Sequence, residues 1–121
     1  MDTKIAEALK TDRVIDITTI GRKSGEQRRI EIWFHNIDNN LYITGSPGTR
    51  GWYANMVANP AITFHLKNSV QADIPATVTP ITDADAKRAV FEKILTNLNR
   101  YEQLDKWVKE SPLVHVELQL D

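Results

Sequence analysis

Two Gly-rich stretches hold many of the side chains that could bind an anion. Residues 18–29 read TTIGRKSGEQRR, and residues 45–60 read GSPGTRGWYANMVANP. Each stretch begins where a strand-like run of β-branched or apolar residues breaks into Gly-rich turn chemistry. We interpret the two stretches as the two sides of one site for an anionic cofactor.

The first stretch has the composition of an anion cradle. Residues 21–25, GRKSG, supply two glycines, two cations and a hydroxyl within five positions, and glycines allow a tight turn that presents backbone N–H groups. A charge-assisted hydrogen bond to phosphate contributes roughly 1.5–3 kcal/mol, so Lys23 and Arg28 together could anchor a phosphorylated cofactor tail. The alternative is an ordinary solvated hairpin turn. Neither the GxxxxGK[ST] nor the GxGxxG phosphate-binding motif is present.

The second stretch adds donors and aromatic rings. Ser46 and the backbone of residues 47–51, which include Gly48, could donate hydrogen bonds, and Arg50 is a third cation. Trp52 and Tyr53 could stack on a planar heterocycle, although aromatic residues beside a short helix also serve as core. A Gly/Pro surface loop is the alternative for this stretch.

Other kinds of catalytic site find little support. The chain has no cysteine, which excludes a thiol nucleophile, a disulfide framework and a Cys-ligated metal centre. His35, His65 and His115 fall on predicted polar faces of three strands, with no close acidic partner in sequence, so no metal site is predicted. No Ser-His-Asp or paired-carboxylate arrangement indicates hydrolysis.

Length and charge narrow the class of protein. The 121 residues, 41% of them hydrophobic, predict one globular domain over residues 1–121. The net charge of -1, from 15 basic and 16 acidic residues, argues against a nucleic-acid partner. The N-terminus lacks a signal-peptide core, and no apolar run approaches the roughly 18 residues of a membrane helix. A cytoplasmic protein without an integral membrane segment is therefore predicted.

The hydrophobic pattern predicts alternating strands with four helical pieces. Predicted strands cover residues 14–20, 29–34, 41–45, 62–66, 70–78 and 113–120, and predicted helices cover residues 3–9, 52–58, 83–98 and 101–107. Six short strands, mostly connected by hairpins, indicate an antiparallel β-barrel with helices packed outside, in the α+β class. Only one helical crossover is available, which disfavours a Rossmann fold.

Three local features refine this scheme. Pro75 should place its strand at a sheet edge or bulge, because proline cannot donate to the ladder. Thr82 is the predicted N-cap of the longest helix. A buried stripe on that helix is predicted to contain Ala86, Val90, Ile94 and Leu98.

The two stretches in combination resemble a known family. The sequence ITTIGRKSGEQRR, the aromatic hairpin after it, the segment WYANMVANP, and the closing Tyr101 and Trp107 are similar to the deazaflavin-dependent nitroreductases of the flavin-binding split β-barrel superfamily. The resemblance covers residues 17–116. It implies a split β-barrel, and a homodimer is possible because superfamily relatives are often dimers.

This resemblance also implies an activity. Such a reductase takes a hydride from a reduced 8-hydroxy-5-deazaflavin coenzyme and gives it to a quinone, a nitroaromatic or a similar electron-poor acceptor. By the match, Lys23 and Arg28 hold the phosphate and acidic tail, Ser46 lies near the reacting ring, and Tyr101 binds substrate and delivers a proton. The implied coenzyme-binding residues are Arg22, Lys23, Ser24, Gly25, Arg28, Ser46, Gly48, Arg50, Trp52 and Tyr53, and the implied catalytic residues are Tyr101 and Ser46.

The chain departs from the family pattern in two places. Pro47 stands where the family tends to have a lysine, so Arg50 is a candidate replacement for that cation. Leu98 and Leu104 stand where two further tyrosines are usual, which predicts a more apolar acceptor pocket. Two alternatives therefore stay open, an FMN-binding split barrel and a non-enzymatic module for a small or lipid-like ligand.

Overall fold

The computed structural model describes residues 2–120. The strands are β1 (Val14–Ile20), β2 (Gln27–Ile37), β3 (Asn40–Thr44), β4 (Ala61–Leu66), β5 (Ala72–Pro80) and β6 (Leu113–Leu118). The helices are α1 (Thr3–Thr11), α2 (Gly51–Ala58), α3 (Ala84–Asn97) and α4 (Leu104–Glu110), and a 3-10 turn covers Tyr101–Gln103. Every predicted element is present, with boundaries displaced by a few residues.

The six strands close into an antiparallel barrel in the order β1-β2-β3-β6-β5-β4. Hairpins join β1 to β2, β2 to β3 and β4 to β5, and β1 closes the barrel on β4 through the pairs Asp16↔His65, Ile17↔Phe64 and Thr18↔Thr63. The predicted α+β barrel with outer helices is confirmed. None of the helices within residues 2–120 has the length and apolar character needed to cross a bilayer.

Alternate residues of the strands fill the barrel. Ile15 and Ile17 of β1 lie inside with Phe34 and Phe64, whose ring centroids are 5.3 Å apart in an edge-to-face arrangement. Such pairs contribute roughly 0.5–1.5 kcal/mol beyond the burial of their area. Met56 of α2 is also fully buried against this cluster, so the barrel core fixes the position of α2.

A second apolar cluster joins α3 and α4 to the outside of the barrel. Phe91 of α3 packs edge-to-face on Trp107 of α4 with ring centroids 5.8 Å apart. Trp107 is buried, and its Nε1 donates a hydrogen bond to Gln103 Oε1 at 3.0 Å. Leu104 is buried in the same cluster and Leu98 packs against it.

Two predictions for α3 are wrong. The N-cap is Asp83 instead of Thr82, since Asp83 Oδ2 accepts a hydrogen bond from Ala86 N at 2.9 Å. The buried residues are Phe91, Ile94 and Leu95, whereas Ala86 is exposed and Val90 and Leu98 are half-buried. A stripe with uniform four-residue spacing drifts around a helix of 3.6 residues per turn, so it leaves the buried face within two or three steps.

The predicted edge position of Pro75 is also wrong, because β5 pairs with a strand on both sides. Pro75 lies opposite Thr63, and its carbonyl accepts a hydrogen bond from Gln119 N at 2.8 Å. The last pair between β5 and β6 is Ala76↔Leu118. The nitrogen and carbonyl of a strand residue face the same neighbour, so the missing N–H lies beyond the end of that ladder and proline is tolerated.

Candidate functional site

The loop between β1 and β2 is closed by its own backbone. Gly21 N donates to the carbonyl of Glu26 at 2.8 Å, and Gly25 N donates to the carbonyl of Gly21 at 2.9 Å. Gly25 has a φ of 72°, in the left-handed region that glycine adopts without strain. Ser24 Oγ accepts a further bond from Glu26 N at 3.2 Å. The cations of this loop therefore project from a fixed turn.

Helix α2 holds the loop from the side. Its Asn55 is only 5% exposed, and Asn55 Oδ1 accepts hydrogen bonds from Arg22 N at 3.1 Å and Arg22 Nη1 at 2.9 Å. Both interactions join residues 33 positions apart in the sequence. The structure thus brings the two Gly-rich stretches into contact.

A cavity of about 390 Å³ lies between the loop and α2, and we call it the cradle cavity. A volume of this size is within the roughly 300–1,000 Å³ of small-molecule sites. Three of its lining side chains are cations, and none of the described residues that line it is acidic. The lining residues are Thr19, Gly21, Arg22, Lys23, Ser24, Arg28, Ile30, Gly51, Trp52 and Asn55.

The first turn of α2 adds to the positive potential of the cradle cavity. Its N-cap residue is Arg50, and no side-chain hydrogen bond caps this end within the described chain. The first amides of a helix lack intrahelical partners and carry partial positive charge, which favours a nearby anion. Gly51 and Trp52 of this turn both line the cavity.

Several predicted coenzyme residues lie elsewhere. Gly48, Arg50 and Tyr53 line a second cavity on the other side of α2. Arg50 donates through Nη1 to the carbonyl of Thr49 at 2.9 Å and through Nη2 to the carbonyl of Ser46 at 2.8 Å, so its guanidinium is tied to its own loop. The Ser46 side chain is exposed and lines neither cavity, and Gly25 belongs to the turn without lining the cradle cavity. The roles predicted for these residues stay predictions.

Tyr101 lies apart from the cradle cavity. It is 54% exposed and lines a cavity of about 510 Å³ together with Glu92 and Lys93 of α3. The structure therefore does not bring Tyr101 together with Lys23 and Arg28. Its role as a proton donor stays a prediction.

Sequence reasoning missed several residues of the cradle cavity. Asn55 is the most informative, and its signal is a lone amide inside the apolar helix sequence WYANMVA. Thr19 occupies an inward position of β1, next to the buried Ile17 in the alternating pattern. Ile30 completes the set. Polar residues at such positions are signals because a buried polar group needs a partner.

Two of the three histidines differ from the prediction that they occupy polar faces. His35 and His65 are buried, at 8% and 6% exposure. His65 Nδ1 is 2.7 Å from Asp73 Oδ1, its partner across the β4–β5 ladder, and His65 Nε2 is 2.7 Å from Thr18 Oγ1. Burial lowers the pKa of His35 to about 4, with a smaller contribution from the nearby charge of Arg13. Within residues 2–120, no three His, Asp or Glu side chains cluster as metal ligands.

The closed antiparallel barrel with its outer helices is a split β-barrel, and solved structures share this fold. A conserved hypothetical protein from Mycobacterium tuberculosis, Rv2991, has a TM-score of 0.76 at 14% identity, over 99% of this chain and 81% of its own. An F420-H2 dependent reductase, FDR-A, has a TM-score of 0.66 at 19% identity, over 88% and 95% of the two chains. An F420 reductase has a TM-score of 0.67 at 18% identity, over 94% of this chain and 92% of its own.

The sequence profile of the F420H(2)-dependent quinone reductases matches residues 1–119, and the chain belongs to this family. Comparison with proteins of curated function finds no match. The chain is therefore an oxidoreductase that depends on the deazaflavin coenzyme F420, as the resemblance of its two loops implied. This assignment favours deazaflavin over FMN and an enzyme over a non-enzymatic ligand-binding module.

Proposed function

We propose that this protein reduces a quinone or a similar electron-poor acceptor with F420H2, and that the cradle cavity holds the phosphate and acidic tail of the coenzyme. The observation that supports this proposal is the chemistry of the cavity wall. Arg22, Lys23 and Arg28 surround one cavity beside the uncapped first turn of α2. Such a wall fits a polyanionic tail better than it fits a neutral ligand.

The three cations have different parts in binding. Arg22 is fixed by Asn55 and lines the cavity. Lys23 and Arg28 form no ion pair within residues 2–120, so both remain available to an anionic group. Each charge-assisted bond to phosphate contributes roughly 1.5–3 kcal/mol. Trp52 lines the same cavity, and an indole ring can stack on a planar group.

When bound, the reduced coenzyme supplies a hydride, which carries two electrons and one proton. A quinone that accepts the hydride needs one further proton to become a hydroquinone. We propose Tyr101 as the donor of that proton and Ser46 as a residue near the reacting centre, and both assignments come from the family resemblance. A phenol O–H can donate a proton or a hydrogen bond, as this role requires.

The acceptor is proposed only as a chemical class. Leu98 and Leu104 were predicted to line an apolar acceptor pocket, but both pack in the cluster between α3, α4 and the barrel. They therefore give no independent support to an apolar acceptor. A quinone and a nitroaromatic both remain within the proposed class.

A fluorescence titration tests the proposed coenzyme site. The purified protein is titrated with oxidised F420 and, in parallel, with FMN, and the titrations are repeated with Lys23→Ala, Arg28→Ala and the control Lys106→Ala. Lys106 is exposed on α4 and lines neither the cradle cavity nor the second cavity. We expect F420 to bind more tightly than FMN and each cradle variant to bind F420 about tenfold more weakly, equivalent to about 1.4 kcal/mol.

The result also bears on the reaction. If the cradle variants retain full affinity for F420, the tail does not lie in the cradle cavity. In a separate experiment, the reduction of menadione, a simple quinone, by the parent protein is measured with F420H2 as the only reductant. Absence of turnover in the presence of tight F420 binding would contradict the proposed quinone class while leaving the coenzyme site intact.

A further inference from the structure

The second cavity, of about 360 Å³, lies across α2 from the cradle cavity and shares no lining residue with it. Its wall comes from the loop before α2, from α2 itself, from the start of α3 and from the end of α4. The lining residues are Gly48, Thr49, Arg50, Tyr53, Ala54, Ile81, Thr82, Lys87, Lys109, Glu110, Ser111 and Pro112.

The charged residues of this wall are unevenly balanced. Arg50, Lys87 and Lys109 contribute three cations from three different segments, whereas Glu110 is the one carboxylate among the described lining residues. None of the three cations takes part in an ion pair within residues 2–120. Because Arg50 is tied to loop carbonyls, it supplies a charge at a fixed position. The cavity therefore attracts a negatively charged group.

Lys87 is the cation of this wall whose ammonium group is partly withdrawn from solvent. It is half-buried, and its Nζ donates one hydrogen bond to the carbonyl of Ser111 at 2.8 Å. An ammonium group has three donors, and burial lowers the pKa of Lys87 below its ordinary value. A partly desolvated cation without a carboxylate partner gains stabilisation from an anion beside it.

Ser111 provides a second, independent sign of a missing partner. The residue is only 2% exposed, and its Oγ is the single buried side-chain polar atom of the described chain without a hydrogen bond. Such groups are uncommon, because burying an unpaired hydroxyl is unfavourable. Ser111 contributes to the wall of the second cavity, so a ligand oxygen there would give the buried hydroxyl a partner once the side chain turns towards the cavity.

We propose that the second cavity binds the carboxylate of a small organic acid, with Lys87, Lys109 and the Ser111 hydroxyl as its polar contacts. The remainder of the wall supports an organic ligand over an inorganic anion. Tyr53, Ile81 and Pro112 present apolar surface within the same cavity. A cationic end and an apolar side in about 360 Å³ match a molecule with one acidic group and a compact apolar body.

Calorimetric titration with benzoate, at ionic strength held constant with chloride, tests the proposal. The variants are Lys87→Gln, which retains a donor for the Ser111 carbonyl, Lys109→Gln and Ser111→Ala, with Lys106→Gln as the matched control on α4. We expect Lys87→Gln to weaken benzoate binding about tenfold and the other two cavity variants several-fold. Lys106→Gln should bind as the parent protein does.

Four outcomes would overturn the proposal. If inorganic phosphate binds as tightly as benzoate, the apolar body of the ligand contributes nothing to affinity, and the cavity is not specific for an organic acid. A Ser111→Ala variant with unchanged benzoate affinity and a raised melting temperature would show an unpaired hydroxyl with no ligand role. If Lys87→Gln does not fold, Lys109→Gln decides the question, and benzoate affinity equal to that of the parent protein in this variant would contradict the proposal. Benzoate binding that is lost in Lys23→Ala would place the anion in the cradle cavity.

The inference stands apart from the proposed coenzyme site. Lys23→Ala is expected to weaken F420 binding and to leave benzoate binding unchanged. Lys87→Gln is expected to weaken benzoate binding and to leave F420 binding unchanged. Failure of one proposal is therefore distinguishable from failure of the other.

Discussion

Asn55 Oδ1 accepts two hydrogen bonds from Arg22, one from the backbone nitrogen at 3.1 Å and one from Nη1 at 2.9 Å. One buried amide thereby fixes both the backbone and the side chain of the first cation in the β1–β2 loop. Met56, the next residue of α2, is fully buried in the barrel core. The core thus determines the position of the loop through α2.

Replacing Asn55 should loosen the loop. Asn55→Ala removes the oxygen that accepts both hydrogen bonds, so the backbone N–H of Arg22 loses its partner. We therefore expect the free energy of unfolding to fall by about 1–3 kcal/mol. We expect F420 affinity to fall about tenfold as well, because Arg22 is no longer fixed beside Lys23. Urea unfolding measures the first effect, and fluorescence titration measures the second.

Asn55→Asp separates the two effects. An aspartate retains an acceptor for Arg22, so we expect stability close to that of the parent protein. The added negative charge lines the cradle cavity, so we expect F420 affinity to fall nonetheless. Asn97→Ala, an exposed position on α3, is the control. F420 affinity in Asn55→Asp equal to that of the parent would mean that the tail does not approach this wall.

Gly21 is required by the close approach of Ser24. A Cβ at position 21 would lie 2.6 Å from Ser24 Oγ and 3.4 Å from Arg28 Nε. Gly21→Ala therefore forces the Ser24 side chain to rotate and lose its bond from Glu26 N. We expect a loss of about 0.5–1.5 kcal/mol in the free energy of unfolding, together with weaker F420 binding.

Gly51→Ala is the matched glycine control for stability. A Cβ at position 51 meets no atom within 4 Å, and Gly51 is the first residue of α2. Alanine restricts the unfolded chain more than glycine does. We therefore expect the free energy of unfolding to be unchanged or to rise by up to about 1 kcal/mol, with a correspondingly higher melting temperature. Equal destabilisation by both substitutions would rule out the contact with Ser24 as the cause.

Tyr101→Phe tests the proton donor that the resemblance implies. Because Tyr101 lines a cavity other than the cradle cavity, we expect unchanged affinity for F420. Loss of a general acid lowers turnover by roughly 10²–10⁴-fold, so stopped-flow reduction of menadione by F420H2 decides its role. Turnover equal to that of the parent protein would exclude Tyr101 as the donor. Tyr42→Phe, a half-buried tyrosine on β3, is the control.

The barrel was predictable because its signals are local. Ile30, Ile32 and Phe34 alternate with the exposed Arg29, Glu31 and Trp33 along β2, and this period of two predicts both the strand and its inner face. The turn of residues 21–25 was predictable for the same reason, since its glycines and cations are adjacent. Local pattern thus gave the fold and one wall of the cradle cavity.

The opposite wall depends on contacts between distant residues. Arg22 and Asn55 are 33 positions apart, and they meet because β1 pairs with β4 and places α2 beside the β1–β2 loop. Arg50 was predicted to join Lys23, but its bonds to two loop carbonyls place it in the second cavity. No periodic pattern encodes such placement. The homodimer and the single-domain boundaries stay predictions.

The burial of His35 predicts a specific loss of stability in acid. An unfolded histidine has a pKa of about 6.5, whereas burial lowers the pKa of His35 to about 4 in the folded protein. Between these values the unfolded chain binds more protons than the native state, so the free energy of unfolding decreases as pH falls from 6.5 towards 4. The full shift corresponds to about 3 kcal/mol.

Urea unfolding at several pH values between 7 and 4.5 measures this contribution, and His35→Phe removes it. Phenylalanine does not titrate and has a similar volume, so the variant should lose much less stability over this range than the parent protein. His115→Gln, at a half-buried position on β6, should retain the parent slope. Parallel pH profiles for His35→Phe and the parent would mean that His35 gains a proton in the folded protein as readily as in the unfolded chain.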